Sequence, residues 1–172
     1  MVSLYMFYLG GNAGRSNIEV HDVQFVAVSQ VEDAYPLLRE AWFGDKDKLH
    51  LDGYMQVKWA DGYDVTLSNE KPAGQLKLFF VNVGGYRPGQ LAEVHDFGLF
   101  VAASADEAKE KAKQQLLAGF DKQHKDNLKD VDDCLLLEQL NGYHIVLQEN
   151  PAGQPGKADW QGYRPIGTEA GR

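Results

Sequence analysis

The chain has 172 residues, of which 44% are apolar and 24% charged, a composition that excludes wholesale disorder and suits one ordinary domain or two very small ones. Its formal charge of -8 argues against nucleic acid or an anionic membrane as partner, because phosphate binding needs a basic surface. Its single cysteine, Cys134, excludes an intrachain disulfide and fits a reducing cytoplasm.

The opening MVSLYMFYLGG has no basic leader and too short an apolar run for a membrane span. It is apolar on both faces, as a central strand covered on two sides should be, and it ends at Gly10–Gly11. A loop with Gly14 and Arg15 follows. A second strand then runs from Glu19-Val20-His21-Asp22 to Ser29. Ser29 stands three residues before Glu32, the capping-box spacing that opens a helix. Ala34, Leu37, Leu38, Ala41 and Trp42 form one apolar stripe, and Pro36 within it predicts a kink or a late helix start. LDGYMQVKWADGYDVTL (51–67) then reads as a hairpin turning at Asp61–Gly62.

The remainder repeats this order. LFFVNVGG (78–85) matches LYMFYLGG (4–11), EVHD recurs at 93–96, and FVAAS (100–104) matches FVAVS (25–29). Ser104 and Glu107 repeat the capping pattern before a thinner stripe of Ala108, Ala112 and Leu116. Lys109, Lys111, Lys113, Lys122, Lys125 and Lys129 alternate with acids and glutamines, which reads as a solvated face. VDDCLLLEQLNGYHIVL (131–147) aligns without a gap to 51–67, with Asn141–Gly142 at the turn and Val131 taken to stand where the first copy has His50. Even the linkers agree, EKPAGQ (70–75) and ENPAGQ (149–154).

This is a duplication. The expected fold is α+β: two tandem strand–strand–helix–strand–strand repeats packed with pseudo-twofold symmetry, through a continuous sheet or face to face. The first repeat spans 1–69, a linker 70–75, the second repeat 76–148. A tail (149–172) repeats GYRP at 162–165 and docks through Trp160, Tyr163 and Ile166, its last residues frayed. Each repeat is too small to shield its own apolar face, so the two form one compact unit.

GGYRPGQLAEVHDFGLFVAAS, GGNAGRSNIEVHDVQFVAVS and KLHLDGY together resemble the bacterial family called domain of unknown function 1543. The resemblance implies a soluble bacterial protein with one or two such units and no established activity to carry over.

The repeated Glu-Val-His-Asp is the first candidate for chemistry. Glu19 and His21 share a strand face, and with Glu93 and His95 they would suit Zn, Mn or Fe, or acid–base work. His50 and Asp52 are alternate ligands, and His21, His95, Asp22 and Asp96 are the catalytic candidates. The plainer reading, which we prefer, gives each Asp a backbone hydrogen bond and each His a place beside its glycine loop. Gly10, Gly11, Arg15, Gly84, Gly85 and Arg87 could hold an anion, but each loop runs into a strand and lacks a dinucleotide or P-loop spacing, so plain turns are preferred. Cys134 reads as a small core residue, and no nucleophile elbow is present.

From its second strand onward the element order is that of glyoxalase-like paired modules, with His21 and His95 at first-strand ligand positions. The corresponding fourth strands supply no His or Glu, only Asp159 of the tail, so that ligand set is incomplete. The leading expectation is therefore a cytoplasmic, non-catalytic module binding a small molecule or a protein, with no cofactor, at the place where the EVHD segments approach. The alternative is a metal-dependent enzyme with a His/Glu site between the repeats. A third reading is a homo-oligomer formed through an exposed strand edge.

Overall fold

A computed structural model describes residues 1–118 and 129–168; the side chains of 129–132, Lys122 and Lys125 of the expected lysine face, and the end expected to fray lie outside the described residues. In chain order the elements are β1 (Ser3–Gly11), β2 (Val20–Val28), a 3-10 turn (Val31–Ala34), α1 (Tyr35–Ala41), β3 (His50–Gln56), β4 (Trp59–Ala60) and β5 (Tyr63–Ser68). There follow β6 (Lys77–Gly85), β7 (Val94–Ala102), α2 (Ala105–Gln115), β8 (Lys129–Leu137), β9 (Gln139–Leu140), β10 (Tyr143–Glu149) and β11 (Trp160–Pro165). The fold is α+β and mainly β, in three antiparallel sheets ordered β11-β3-β1-β2, β7-β6-β8 and β4-β5-β10-β9.

The two-sided apolarity of β1 and β6 has a direct cause. Each is an inner strand of its sheet, with a helix on one face and the other half of the chain on the opposite face. Phe7 and Leu9 of β1 pack with Ala34, Leu38 and Trp42, while Phe79, Val81 and Val83 of β6 pack with Ala108 and Ala112 of α2. The inner faces share one core: Leu4, Phe25, Val57 and Val65 meet Leu78, Phe80, Val101 and Ile145. Phe25 stands edge-on to Phe80 at 5.4 Å across it. Burying such side chains contributes on the order of 1.5–3 kcal/mol each, so most of this stabilisation is absent in either half alone.

The hairpin sheet joins the halves. β5 pairs with β10, and Thr66 lies opposite Val146, two positions that the ungapped alignment of 51–67 with 131–147 makes equivalent. Asp61 (φ 48°) with Gly62 (φ 91°), and Asn141 (φ 50°) with Gly142 (φ 85°), both have the positive φ pair of a type I′ turn. Each turn then reaches across: Asp61 Oδ2 accepts from the Val101 N–H at 2.9 Å, and Asn141 Oδ1 accepts from the Ala27 N–H at 3.1 Å.

Three details differ from the sequence reading. Leu4 pairs with Ala27 and Leu78 with Val101, which makes Phe25 the counterpart of Leu99 rather than Phe100. A one-residue slip reverses the face, so Phe25 lies in the shared core and Phe100 packs with α2 despite their matching contexts. Next, Gly10 pairs with His50 and Gly84 with Asp130, so Asp130, not Val131, takes the His50 position; Val131 lies opposite Val83 as Leu51 lies opposite Leu9. Both registers shift at the same place, after Tyr8 and after Asn82.

Lastly, the capping pattern forms in the second half, where Ser104 Oγ accepts from the Glu107 N–H at 3.3 Å and Glu107 Oε2 accepts from the Ala103 N–H at 3.0 Å. In the first half Gln30 occupies the cap position without a side-chain bond, and α1 starts late, with Pro36 in its first turn.

Candidate functional site

The strand ends nearest the glycine pairs carry the polar groups. Gly10 and Gly11 close β1, Gly84 and Gly85 close β6, and they face His21 and Val20, or His95 and Val94, in the ladders. Their backbones therefore belong to strands and not to anion-binding loops. The positive φ values expected of the glycine turns fall instead on Gly14 (56°) and Gly89 (79°). Gly10 and Gly11 answer a different need. A Cβ on Gly10 would lie 2.5 Å from His50 Nε2, and one on Gly11 would lie 2.8 Å from the Trp42 ring. Arg15 and Arg87 are exposed in the loops beyond.

His21 and His95 line a common cleft of about 430 Å³ between the two sheets, together with Tyr8, Asp22, Phe97 and Asp133. Tyr8 is its platform: the His21 ring stacks on it at 5.2 Å, nearly parallel at 5°, and Phe97 lies 5.9 Å away. Burial raises the Tyr8 pKa above its ordinary value, with Asp52 and Glu19 adding to the effect.

Asp22 and Asp96 are engaged in backbone geometry. Asp22 accepts from the Val23 N–H at 2.8 Å and from Gln24 Nε2 at 2.6 Å. Asp96 accepts from the Phe97 N–H at 2.9 Å and the Leu117 N–H at 3.2 Å. Such bonds to backbone N–H groups favour a structural role for both side chains over proton transfer.

A second constellation belongs to the first half. His50 Nε2 lies 2.8 Å from Glu19 Oε1 and 3.2 Å from Asp52 Oδ1, while His21 Nε2 lies 3.3 Å from Asp52 Oδ2 and 3.5 Å from Glu19 Oε2. His50 is 3% exposed, and its Nδ1 faces the Lys48 carbonyl at 3.2 Å. The tail covers it: the Tyr163 ring of β11 lies over the His50 ring at 4.3 Å, tilted by 37°. In the second half Glu93 approaches His95 at 3.5 Å and accepts from the Tyr86 hydroxyl at 3.2 Å. Among the described residues no group of three or more His, Cys, Asp and Glu side chains is placed to hold a metal ion.

The structure thus brings His21 and His95 to one cleft, and Glu19, His21, His50 and Asp52 to one cluster. Tyr8, Phe97, Asp133 and Tyr163 were not singled out by the sequence as site residues. Periodicity carries no signal for Tyr8, Phe97 and Tyr163, because aromatic residues on strands read as core. A larger cavity of about 640 Å³ is lined by apolar groups such as Met6, Met55, Trp59 and Leu99. Its Asp61 is already bonded to Val101 and Lys111.

A family model described as Domain of Unknown Function (DUF1543) matches residues 16–67 and again 90–147, each span holding one EVHD segment. The chain belongs to this family. As a DUF1543 protein with two tandem units, it is similar to a solved structure, that of a protein Il1583 from Idiomarina loihiensis. The identity is 32%, the alignment covers 96% of this chain and 98% of that one, and the TM-score is 0.74. No curated protein matches the chain. No helix among the described residues is long and apolar enough to cross a membrane.

Proposed function

We propose that this DUF1543 protein is a non-catalytic binding module that takes a small planar ligand, cationic or rich in hydrogen-bond donors, in the cleft between its repeats. The observation that carries the reading is the meeting of His21 and His95 on one cleft with Tyr8 and Phe97. A volume of about 430 Å³ falls in the range of small-molecule sites, which run from roughly 300 to 1,000 Å³. Aromatic faces offer stacking, and Asp22 and Asp133 set the sign of the field. With both EVHD aspartates bonded to backbone N–H groups, binding fits the site better than acid–base catalysis.

The reading treats 1–69 and 76–148 as pseudo-twofold related repeats, joined by the 70–75 linker and followed by the 149–172 tail. Two things support it: the equivalent pair Thr66 and Val146 at the centre of the joining strands, and the reciprocal bonds from the Asp61 and Asn141 turns. A cleft on such an axis offers similar groups from both sides, which suits a ligand with two like ends. A cytoplasmic setting accords with the lone cysteine.

The test is ligand-observed NMR with a panel of planar heteroaromatic cations, run on the native protein and on Tyr8→Ala and His95→Ala. Binding that is lost in both variants, each still folded, supports the proposal. A panel that fails to bind, or binds all three proteins alike, overturns it.

A further inference from the structure

We propose that the cavity of about 640 Å³ beside β7 is a site for a small, neutral, apolar amide, the size of a capped hydrophobic amino acid. The proposal is independent of the cleft reading, although Phe97 borders both spaces. The cavity lies where the Asp61–Gly62 turn of the first repeat, β7 and the end of α2 of the second, and the tail at 151–156 meet. Met6, Met55, Trp59, Phe97, Leu99 and Leu116 line it, and all six are only half-buried. Covering them is favourable in proportion to the apolar area withdrawn from water, and the two thioethers adapt to the shape of an occupant.

The duplication argues that this opening is built. Phe7 pairs with Gln24 and Val81 with Gly98, which makes Gln24 and Gly98 equivalent. Gln24 spends its amide on Asp22 at 2.6 Å. Gly98 has no side chain, and the equivalent Asp96 accepts instead from the Leu117 N–H at 3.2 Å. A Cβ on Gly98 would stand 3.1 Å from the Phe100 ring and 3.5 Å from Leu116 Cδ2, so the glycine lets both fold over the strand. Leu117 has a φ of 51°, which a bulky residue adopts only under strain, and strain of this kind gathers at ligand sites. The second repeat thus holds a strained turn over a glycine where the first has an ordinary side chain.

The strand edge supplies the polar groups. Among the described strands β7 pairs only with β6. Val101 turns its N–H and C=O away from β6, to Asp61 Oδ2 and Lys111 Nζ. Phe97 turns its N–H the same way, to Asp96 Oδ1 at 2.9 Å. Alternation along an antiparallel ladder gives Leu99, midway between them, the same outward direction. Its N–H and C=O therefore present a donor and an acceptor side by side at the border of the cavity. Both flanking N–H groups are already bonded, and Phe97 to Val101 spans only about 13 Å of strand. The edge thus suits one residue-sized amide unit rather than an added strand. Charge sets the rest of the ligand's character. Asp61 is paired with Lys111 at 3.1 Å and Trp59 Nε1 donates to the Asn150 carbonyl at 2.8 Å, which favours a neutral occupant.

The probe is N-acetyl-phenylalaninamide, titrated into ¹⁵N-labelled full-length protein and followed by heteronuclear NMR. Saturable shifts at Leu99 and slower hydrogen exchange of its amide are expected. The same compound methylated on its acetamide nitrogen has no hydrogen to donate to the Leu99 carbonyl, and should bind about 2–10-fold more weakly. Gly98→Gln restores the side chain of the first repeat, fills the space and should abolish the shifts. His95→Ala, which the cleft ligand needs, should leave them unchanged, so the two readings fail separately. No saturable binding up to the solubility of the probe, shifts confined to residues away from Leu99, or equal binding of the methylated compound overturns the proposal. So does native-like binding by a folded Gly98→Gln. If that variant does not fold, the methylated compound decides the question on the native protein.

Discussion

Replacing Asp61 tests how the two halves are held together. Its Oδ2 accepts from the Val101 N–H at 2.9 Å and from Lys111 Nζ at 3.1 Å, so one side chain of the first hairpin serves two groups of the second half. Val101 is 1% exposed, and an orphaned N–H beside it costs about 1–3 kcal/mol. The Lys111 contact is partly exposed and adds roughly 0.2–1 kcal/mol. Asp61 has a φ of 48°, so alanine there adds backbone strain of about 1–2 kcal/mol, which glycine escapes.

Asp61→Gly should therefore cost about 1–3 kcal/mol, a little more with the ion pair counted. Asp61→Ala should cost about 1–2 kcal/mol beyond that. Asp61→Asn keeps the acceptor and should cost about 1 kcal/mol or less. Urea unfolding followed by tryptophan fluorescence reads these values, and for a chain of this size each kcal/mol is worth about 2–4 °C in Tm. Glycine and asparagine variants of equal stability would refute the account, because the clamp would then not depend on the acceptor.

Gly10→Ala should destabilise by about 1–3 kcal/mol, since its Cβ meets buried His50 and strand-held Asp52; unchanged thermal unfolding would count against that packing. Tyr8 should be among the late-titrating tyrosines in an ultraviolet pH titration, and Tyr8→Phe should remove that phase. Because its pKa is raised in the folded state, its contribution to stability is complete below about pH 10 and is lost as pH rises from there through the raised value. Burial also raises the Cys134 thiol, against the smaller opposing effect of Lys109, so its alkylation at neutral pH should be slower than that of a free thiol and speed up in alkali. Residues 1–69 expressed alone should show no cooperative unfolding in circular dichroism, because Leu4, Phe25, Val57 and Val65 lose the partners they bury against.

The local features of this protein were legible in its residues. Asp61–Gly62 and Asn141–Gly142 specify their turns because few residues adopt positive φ cheaply, and the apolar runs of β1 and β6 declare strands covered on both faces. Duplication was legible for the same reason, since each unit repeats the signals its own backbone needs. The sliding of FVAAS by one residue was not. A strand accepts either register locally, and only the fit of Phe25 against Phe80 and of Phe100 against α2 decides between them.

The sites follow the same division. The sequence alone marked His21, His95, His50 and Asp52 as groups able to do chemistry, because imidazole and carboxylate have that capacity wherever they stand. Tertiary structure alone determined that His50 meets Glu19 across 31 positions of chain and that Tyr8 lies beside Phe97. It also placed the tail strand so that Tyr163 covers the cluster. Conformational preference acts over a few residues, whereas the distance between remote side chains is set by which apolar faces find each other and how closely they pack.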